Sequence, residues 1–377
     1  MVSLRNLTRC FVSVISFVVL FISCIQPTYS PPEEAKELLE VWKYDHDLIA
    51  DPLILNINDT LFNSGGQDLF AIDANSGNEF WKVQAVDSFS LGGRVFISSG
   101  DQIVNNQRRR TIAWNKKTGN FLWETIYNNR YDEPRLTGNH SATPNGYAIA
   151  TNSNRVLILD RQGNVTYTKK LDRRFRISGV SYYKNRIYVN QSNTIHGALE
   201  EGRITVFDLQ TGDSLWAYDT QNDGFFEQPI FEDDVLFAGS RGNSEFSEII
   251  ALNVNTGNVI WKKVSKIWTY TITKSEKYLY VNTYASINAI DKKTGDLIWS
   301  VGEMHSAAST PVILGGYVYN STYGSVRIID ESTGEIVHRE PTKGGSIWGL
   351  ATSSDRIFFQ TSWAIYAYEP WHLRDDL

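Results

Sequence analysis

Cysteine is almost missing from this 377-residue chain: there are two, Cys10 and Cys24, both near the start. The remaining 353 residues can form no disulfide and offer no thiolate to a metal or a redox centre. Histidine is scarce too, six in all, and none stands in an HExxH or comparable ligand spacing. No Gly-x-Ser-x-Gly elbow and no phosphate-cradling glycine loop occurs. A long basic tract is likewise absent and the formal net charge is −6, which speaks against nucleic acid as a partner. The short runs Arg108-Arg109-Arg110 and Arg173-Arg174-Phe175-Arg176 read as solvated loop charge. Apolar and aromatic residues, by contrast, make up 42% and 13% of the chain, the composition of a folded protein.

The first thirty residues are of another kind. Arg5 and Arg9 precede the apolar run Phe11 to Ile22, which has the length of an export-signal core and falls short of the about 20 residues a spanning helix needs. Ile22-Ser23-Cys24 follows and resembles a bacterial lipobox, with Phe21 where Leu is usual. A competing cut after Thr28-Tyr29-Ser30 would leave Pro31 beside it, an unfavourable substrate. The expectation is a lipoprotein-type signal peptide over 1–23, lipidation at Cys24, and a proline- and glutamate-rich tether over 24–39. The product would be exported and lipid-anchored to a bacterial membrane, facing the periplasm or the exterior; plain secretion and an uncleaved anchor are the alternatives.

From there on a phrase recurs: "FAIDANSGNEFW" (70–81), "IAWNKKTGNFLW" (112–123), "TVFDLQTGDSLW" (205–216), "IALNVNTGNVIW" (250–261) and "INAIDKKTGDLIW" (287–299). Weaker copies, "LILDRQGNVTY" (157–167) and "RIIDESTGEIVH" (327–338), end in Tyr167 and His338. The turn glycines Gly77, Gly119, Gly163, Gly212, Gly257, Gly295 and Gly334 are 38 to 49 residues apart, a period that denotes a repeat architecture.

One period reads as four short strands. In 309–337 a short apolar stretch precedes Tyr317-Val318-Tyr319, then turn residues, the β-branched run Val326 to Ile329, the turn Ser332-Thr333-Gly334, and Ile336-Val337. Four antiparallel strands per forty residues make a propeller blade. Asp73, Asp208, Asp291 and Asp330, with Asn115, Asp160 and Asn253, are expected to start the turn by accepting a backbone N–H two residues on; the glycine supplies positive φ. Trp42, Trp81, Trp123, Trp216, Trp261 and Trp299 are expected to dock blade on blade, each burying on the order of 150–250 Å².

The ends complete the count. Ala364 to Glu369 is a third strand with no fourth after it, and "ELLEVWKYD" (37–45) is a fourth strand with no blade before it. Eight Asp-type positions ending at Glu369 and eight Trp-type positions starting at Trp42 predict an all-β, eight-bladed propeller over 40–377. Its four-stranded antiparallel blades would be closed by the N-terminal strand pairing into the last blade.

The repeated Ala-x-Asp-x-x-Thr-Gly-x-x-x-Trp over residues 40 to 370 resembles the PQQ-like, tryptophan-docking propeller repeat. That family includes quinoprotein dehydrogenases, exported sensor or binding domains, and the lipoprotein propellers of the outer-membrane barrel assembly machine, which this layout most resembles. The resemblance implies a non-catalytic scaffold that binds an envelope protein or an extended polymer, as a monomeric propeller without cofactor. The alternatives are a quinoprotein-like or other enzyme working at the channel mouth, or an extracytoplasmic polysaccharide or ligand sensor. For a quinone, the resemblance implies adjacent cysteines and a stacked Trp with Ca²⁺ held by acidic and amide groups; the adjacent cysteines are missing.

The other candidate ligands read as carpentry. "DANSGNE" (73–79) has its glycine fifth where a calcium loop needs it sixth. "YDHD" (44–47) gathers Asp45, His46 and Asp47, and reads as a solvated loop. Asn58, Asn139, Asn164, Asn190 and Asn320 open chance glycosylation sequons. The segments 99–110, 190–203 and 238–248 read as insertions, the places to seek a partner contact.

Overall fold

Eight antiparallel sheets follow one another along the chain in the computed structural model. The structure describes residues 37–46, 54–65, 68–84, 96–107, 110–127, 139–195, 198–221, 223–225, 228–242, 247–265, 269–283, 285–302, 309–322, 324–343 and 345–374. The signal-peptide run, Cys24 and most of the tether lie outside them. Blades 1 to 7 span 55–84, 96–126, 141–170, 176–221, 223–265, 269–301 and 312–341. Blade 8 takes Gly349–Thr352, Ile357–Gln360 and Ala364–Tyr368 from the C-terminal end and Glu40–Asp45 from the N-terminal end.

The second and third strands carry the core, because their side chains on both faces meet a neighbouring blade. Tyr317–Thr322 and Ser325–Asp330, for instance, read buried over most of their length, as a strand sandwiched on two sides must. The fourth strand alternates exposed and buried residues and has a partner on one side only.

The core is not one mass. Among the described residues it is eight clusters, each shared by two adjacent blades: Ile112 and Phe62 join blades 1 and 2, Leu236 and Tyr188 join 4 and 5, and Ile329 and Tyr280 join 6 and 7. Two further clusters close the circle, with Val326 against Phe359 between blades 7 and 8 and Phe358 against Ile72 between blades 8 and 1. An eight-bladed ring closed by the N-terminal strand is therefore what the packing builds.

Closure is a non-covalent copy of an ordinary hairpin. In blade 1 the Asp73 N–H donates to the Asn78 carbonyl across the turn; in blade 8 the Glu369 N–H donates to the Leu39 carbonyl, from the other end of the chain. The packed region begins before residue 40, since Leu38 is 3% exposed and its N–H donates to the buried Glu340 carboxylate at 2.7 Å.

In the three segments read as insertions, the described residues are mostly strand. Residues 99–110 hold a regular second strand, Gln102–Gln107, laddered on both sides; its polar run Gln102, Asn105, Asn106, Gln107 concealed it. Residues 190–203 lengthen a hairpin made of Arg186–Ile195 and Ala198–Asp208. Residues 238–248 extend Val235–Gly242, which pairs with both pieces of an interrupted first strand, Asp223–Phe225 and Ile230–Glu232. Among the described residues no helix is long and apolar enough to cross a membrane.

Candidate functional site

The repeated phrase builds one joint at nearly every blade boundary. Asp291 Oδ1 accepts the N–H groups of Lys293 and Thr294 at 2.7 and 2.9 Å, and Asp73, Asp208 and Asp330 do the same in their turns. Asn115 and Asn253 replace the carboxylate without changing the pattern.

The glycine has a second duty that the sequence did not disclose. Gly295 has φ +73°, and a Cβ there would stand 2.6 Å from the Trp261 ring of the preceding blade. The same overlap would arise for Gly77 with Trp42, Gly119 with Trp81, Gly257 with Trp216, and Gly334 with Trp299. Gly163 lies under Trp123 and Gly212 under Tyr167. The indole N–H then donates to a backbone carbonyl of the same turn: Trp42 to Ala74, Trp81 to Lys116, Trp216 to Val254, Trp261 to Lys292, Trp299 to Glu331, at 2.9 to 3.1 Å. Trp123 donates instead to Gln102 Oε1. At the 7–8 boundary, where no glycine follows, His338 stacks on Trp371 with ring centroids 4.7 Å apart and pairs with Glu340 at 3.0 Å. These residues place blade against blade, and their polar groups are spent inside the joint.

A β-bulge accompanies every joint. The residue before the docking ring is the extra one: Phe80, Leu122, Leu215, Ile260 and Ile298 fall between two ladder pairs, and so do Val41, Thr166 and Val337. The bulge turns an apolar side chain outward, leaving Phe80 54% and Ile260 49% exposed.

Beside those residues lie grooves at the end of the ring that carries the first-to-second and third-to-fourth strand turns. Between blades 5 and 6 a groove of about 660 Å³ is walled by Val235, Phe237 and Ile260, with Lys292 and Lys293 of the next turn above it. Lys292 Nζ is held 2.8 Å from Glu232, which Lys274 also meets at 3.2 Å. Burial opposes the Glu232 charge, but the two ammonium groups outweigh it and hold the carboxyl below its usual range. The equivalent groove between blades 1 and 2, about 470 Å³, is lined by Ile57, Asn58, Thr60, Phe62, Phe80, Lys116 and Lys117. Between blades 3 and 4, a groove of about 300 Å³ has Leu209 and Gln210 at the lysine positions.

The other candidates resolve simply. Asp45 is exposed and bonded to Lys43, His46 is buried beside Phe70, and Asp47 is outside the described residues; among the described residues no three His, Cys, Asp or Glu side chains converge as metal ligands. Asn190 and Asn320 are 1% and 0% exposed, which bars glycosylation in the folded state. Arg174 pairs with Asp172 and packs on the buried Phe175.

A quinone cofactor does not fit the residues present. Its implied pair of adjacent cysteines is absent from everything beyond Cys24, and the docking indoles are taken up in covering turn glycines.

Comparison with known proteins agrees with the architecture. Solved structures that resemble the fold include BamB from Moraxella catarrhalis, with 17% identity over 88% of this chain and 100% of that one and a TM-score of 0.69. A computationally designed protein, Ika8, matches at 10% identity, 89% and 100% coverage, and TM-score 0.72. A europium-containing methanol dehydrogenase matches at 13% identity, 88% and 93% coverage, and TM-score 0.68. At such identities these likenesses speak for the fold alone. No curated protein matches the sequence. The family described as outer membrane protein assembly factor BamB, however, matches residues 65–139, 128–266 and 245–366, and the chain, a PQQ-like β-propeller, belongs to that family.

Proposed function

We propose that this protein is a non-catalytic, exported, lipid-anchored propeller that serves as a protein-interaction scaffold at the cell envelope, and in outer-membrane protein assembly where the source has an outer membrane. The observation that carries the reading is the family match running through blades 1 to 8, on a chain whose aromatic and acidic repeat residues are engaged in structure. The lipobox-like Ile22-Ser23-Cys24 supports the anchor. A rigid ring with long blade hairpins and open strand edges suits the binding of a partner chain or an extended polymer.

Cross-linking in the intact envelope, followed by identification of co-purifying proteins, tests the scaffold: reproducible capture of an envelope protein is expected. Purified protein given PQQ and Ca²⁺ and assayed for dye-linked alcohol oxidation should show no turnover; turnover would replace the scaffold with an enzyme. Mass spectrometry of the mature N-terminus should find a diacylglyceryl-modified Cys24, and an unmodified terminus beyond it would remove the anchor.

A further inference from the structure

The inter-blade grooves are copies of one another, so the differences between them are informative. Between blades 1 and 2 and between blades 5 and 6 the floor comes from the second strand of one blade, and between blades 3 and 4 from its third strand; in all three, one wall comes from the bulged residue before the docking ring and the roof from the two residues after the Asx position in the next blade. The groove between blades 5 and 6 neutralises its roof: Lys292 is bonded to Glu232, and Asp233, Glu276 and Asp291 also line it. The groove between blades 3 and 4 has no cation among the described residues of its lining.

The groove between blades 1 and 2 differs from both. Ile57 takes the place of Glu232, so the lysines at the roof stand beside an apolar wall of Ile57, Phe62 and Phe80, and among the described residues no carboxylate lines the groove. Lys116 Nζ donates to Ser98 Oγ at 3.0 Å, and neither it nor Lys117 makes an ion pair with a described residue. A phenyl ring 54% exposed beside two uncompensated ammonium groups asks for a ligand that is apolar and anionic at once. Next to it runs Glu79–Gln84, a fourth strand that among the described residues is laddered on one side only, the kind of edge to which an extended peptide can add. The volume of about 470 Å³ lies within the range of ligand pockets.

We propose that the groove between blades 1 and 2 captures a peptide segment of a protein partner in which an aromatic or aliphatic side chain stands beside a carboxylate, the apolar group against Phe80 and Ile57 and the carboxylate at Lys116 and Lys117. This rests on the scaffold reading and names the partner chemistry.

The test is calorimetric titration of the full chain with the peptide acetyl-Gly-Phe-Asp-Phe-Asp-Gly-amide and with its Asn-for-Asp analogue. The acidic peptide should bind about threefold or more tightly than the amide, the order expected for one or two exposed ion pairs. K116Q/K117Q should bring the acidic peptide down to the level of the amide, F80S should weaken both, and K293Q in the sister groove should change neither. Equal affinity for the two peptides, insensitivity to K116Q/K117Q, an equal loss in K293Q, or no heat at millimolar peptide would each overturn the assignment. Envelope cross-linking separates this idea from the scaffold itself. If the unaltered protein captures no partner, the scaffold fails; if K116Q/K117Q captures the same partner to the same extent, the groove alone fails.

Discussion

The turn glycines divide into those that lie under a ring and those that do not, which lets backbone strain be separated from packing. Gly295 (φ +73°) has the Trp261 ring 2.6 Å from where a Cβ would be, whereas Gly324 (φ +82°) has nothing within 4 Å. Gly324→Ala should cost about 1 kcal/mol, from the strained φ alone. Gly295→Ala should cost about 2–4 kcal/mol, because the ring must also give way; denaturant unfolding of both variants checks the difference, and equal losses would mean that Trp261 does not press on the turn. Asp330 offers a pH reading of the same motif. Burial opposes its charge, but the N–H groups of Thr333 and Ser332 and the Thr333 hydroxyl together lower its pKa below the ordinary 3.8. A carboxyl depressed on folding stabilises above its unfolded value, and that contribution disappears as pH falls through the lower folded value, here below about 4. Asp330→Asn should therefore fold at neutral pH, as the Asn115 and Asn253 turns do, and show a shallower stability loss between pH 4 and 2. An unchanged acid limb would count against the linkage.

The blade was legible in the sequence because its marks are local: Asp to Gly is one turn, and Gly to Trp is one step into the next strand. The half-blades at the two ends followed from the same counting. What escaped was anything needing two blades at once. That Gly295 serves Trp261, or that Phe80 shares a groove with Lys116, depends on segments about one repeat apart meeting in space. The second strand of blade 2 escaped for a different reason. Asn105 and Asn106 are 0% and 2% exposed, buried polar residues where β-branched ones would announce a strand, and Asn106 is matched by the Thr111 hydroxyl, which also meets Tyr127. Glu40–Asp45 carries the boldest claim about an element. Removing residues 1–46 strips blade 8 of its fourth strand and bares the edge of Ala364–Tyr368. The truncated chain should melt at lower temperature and self-associate in size-exclusion chromatography, and a synthetic peptide of residues 37–46 should restore the monomer. A truncated chain that stays monomeric with an unchanged melting temperature would show that closure by this strand contributes little.

The whole ring distributes its apolar packing over eight boundaries, so no single cluster is the centre on which the rest depends. Each boundary resembles the nearest-neighbour interface of a linear repeat array, and closure is what converts the array into a molecule without ends. That conversion has a cost in time. The Arg374 guanidinium reaches the Glu37 carbonyl across 337 residues of sequence, and Leu38 reaches Glu340 across 302. Contacts so distant in sequence form late, since most of the chain must be placed before they can reward their own ordering. The first strand of the ring is thus the last to be seated. Until the C-terminal strand arrives, Trp42 and Tyr44 remain an unsatisfied apolar edge, and the newborn chain has to be kept from pairing that edge with the wrong neighbour.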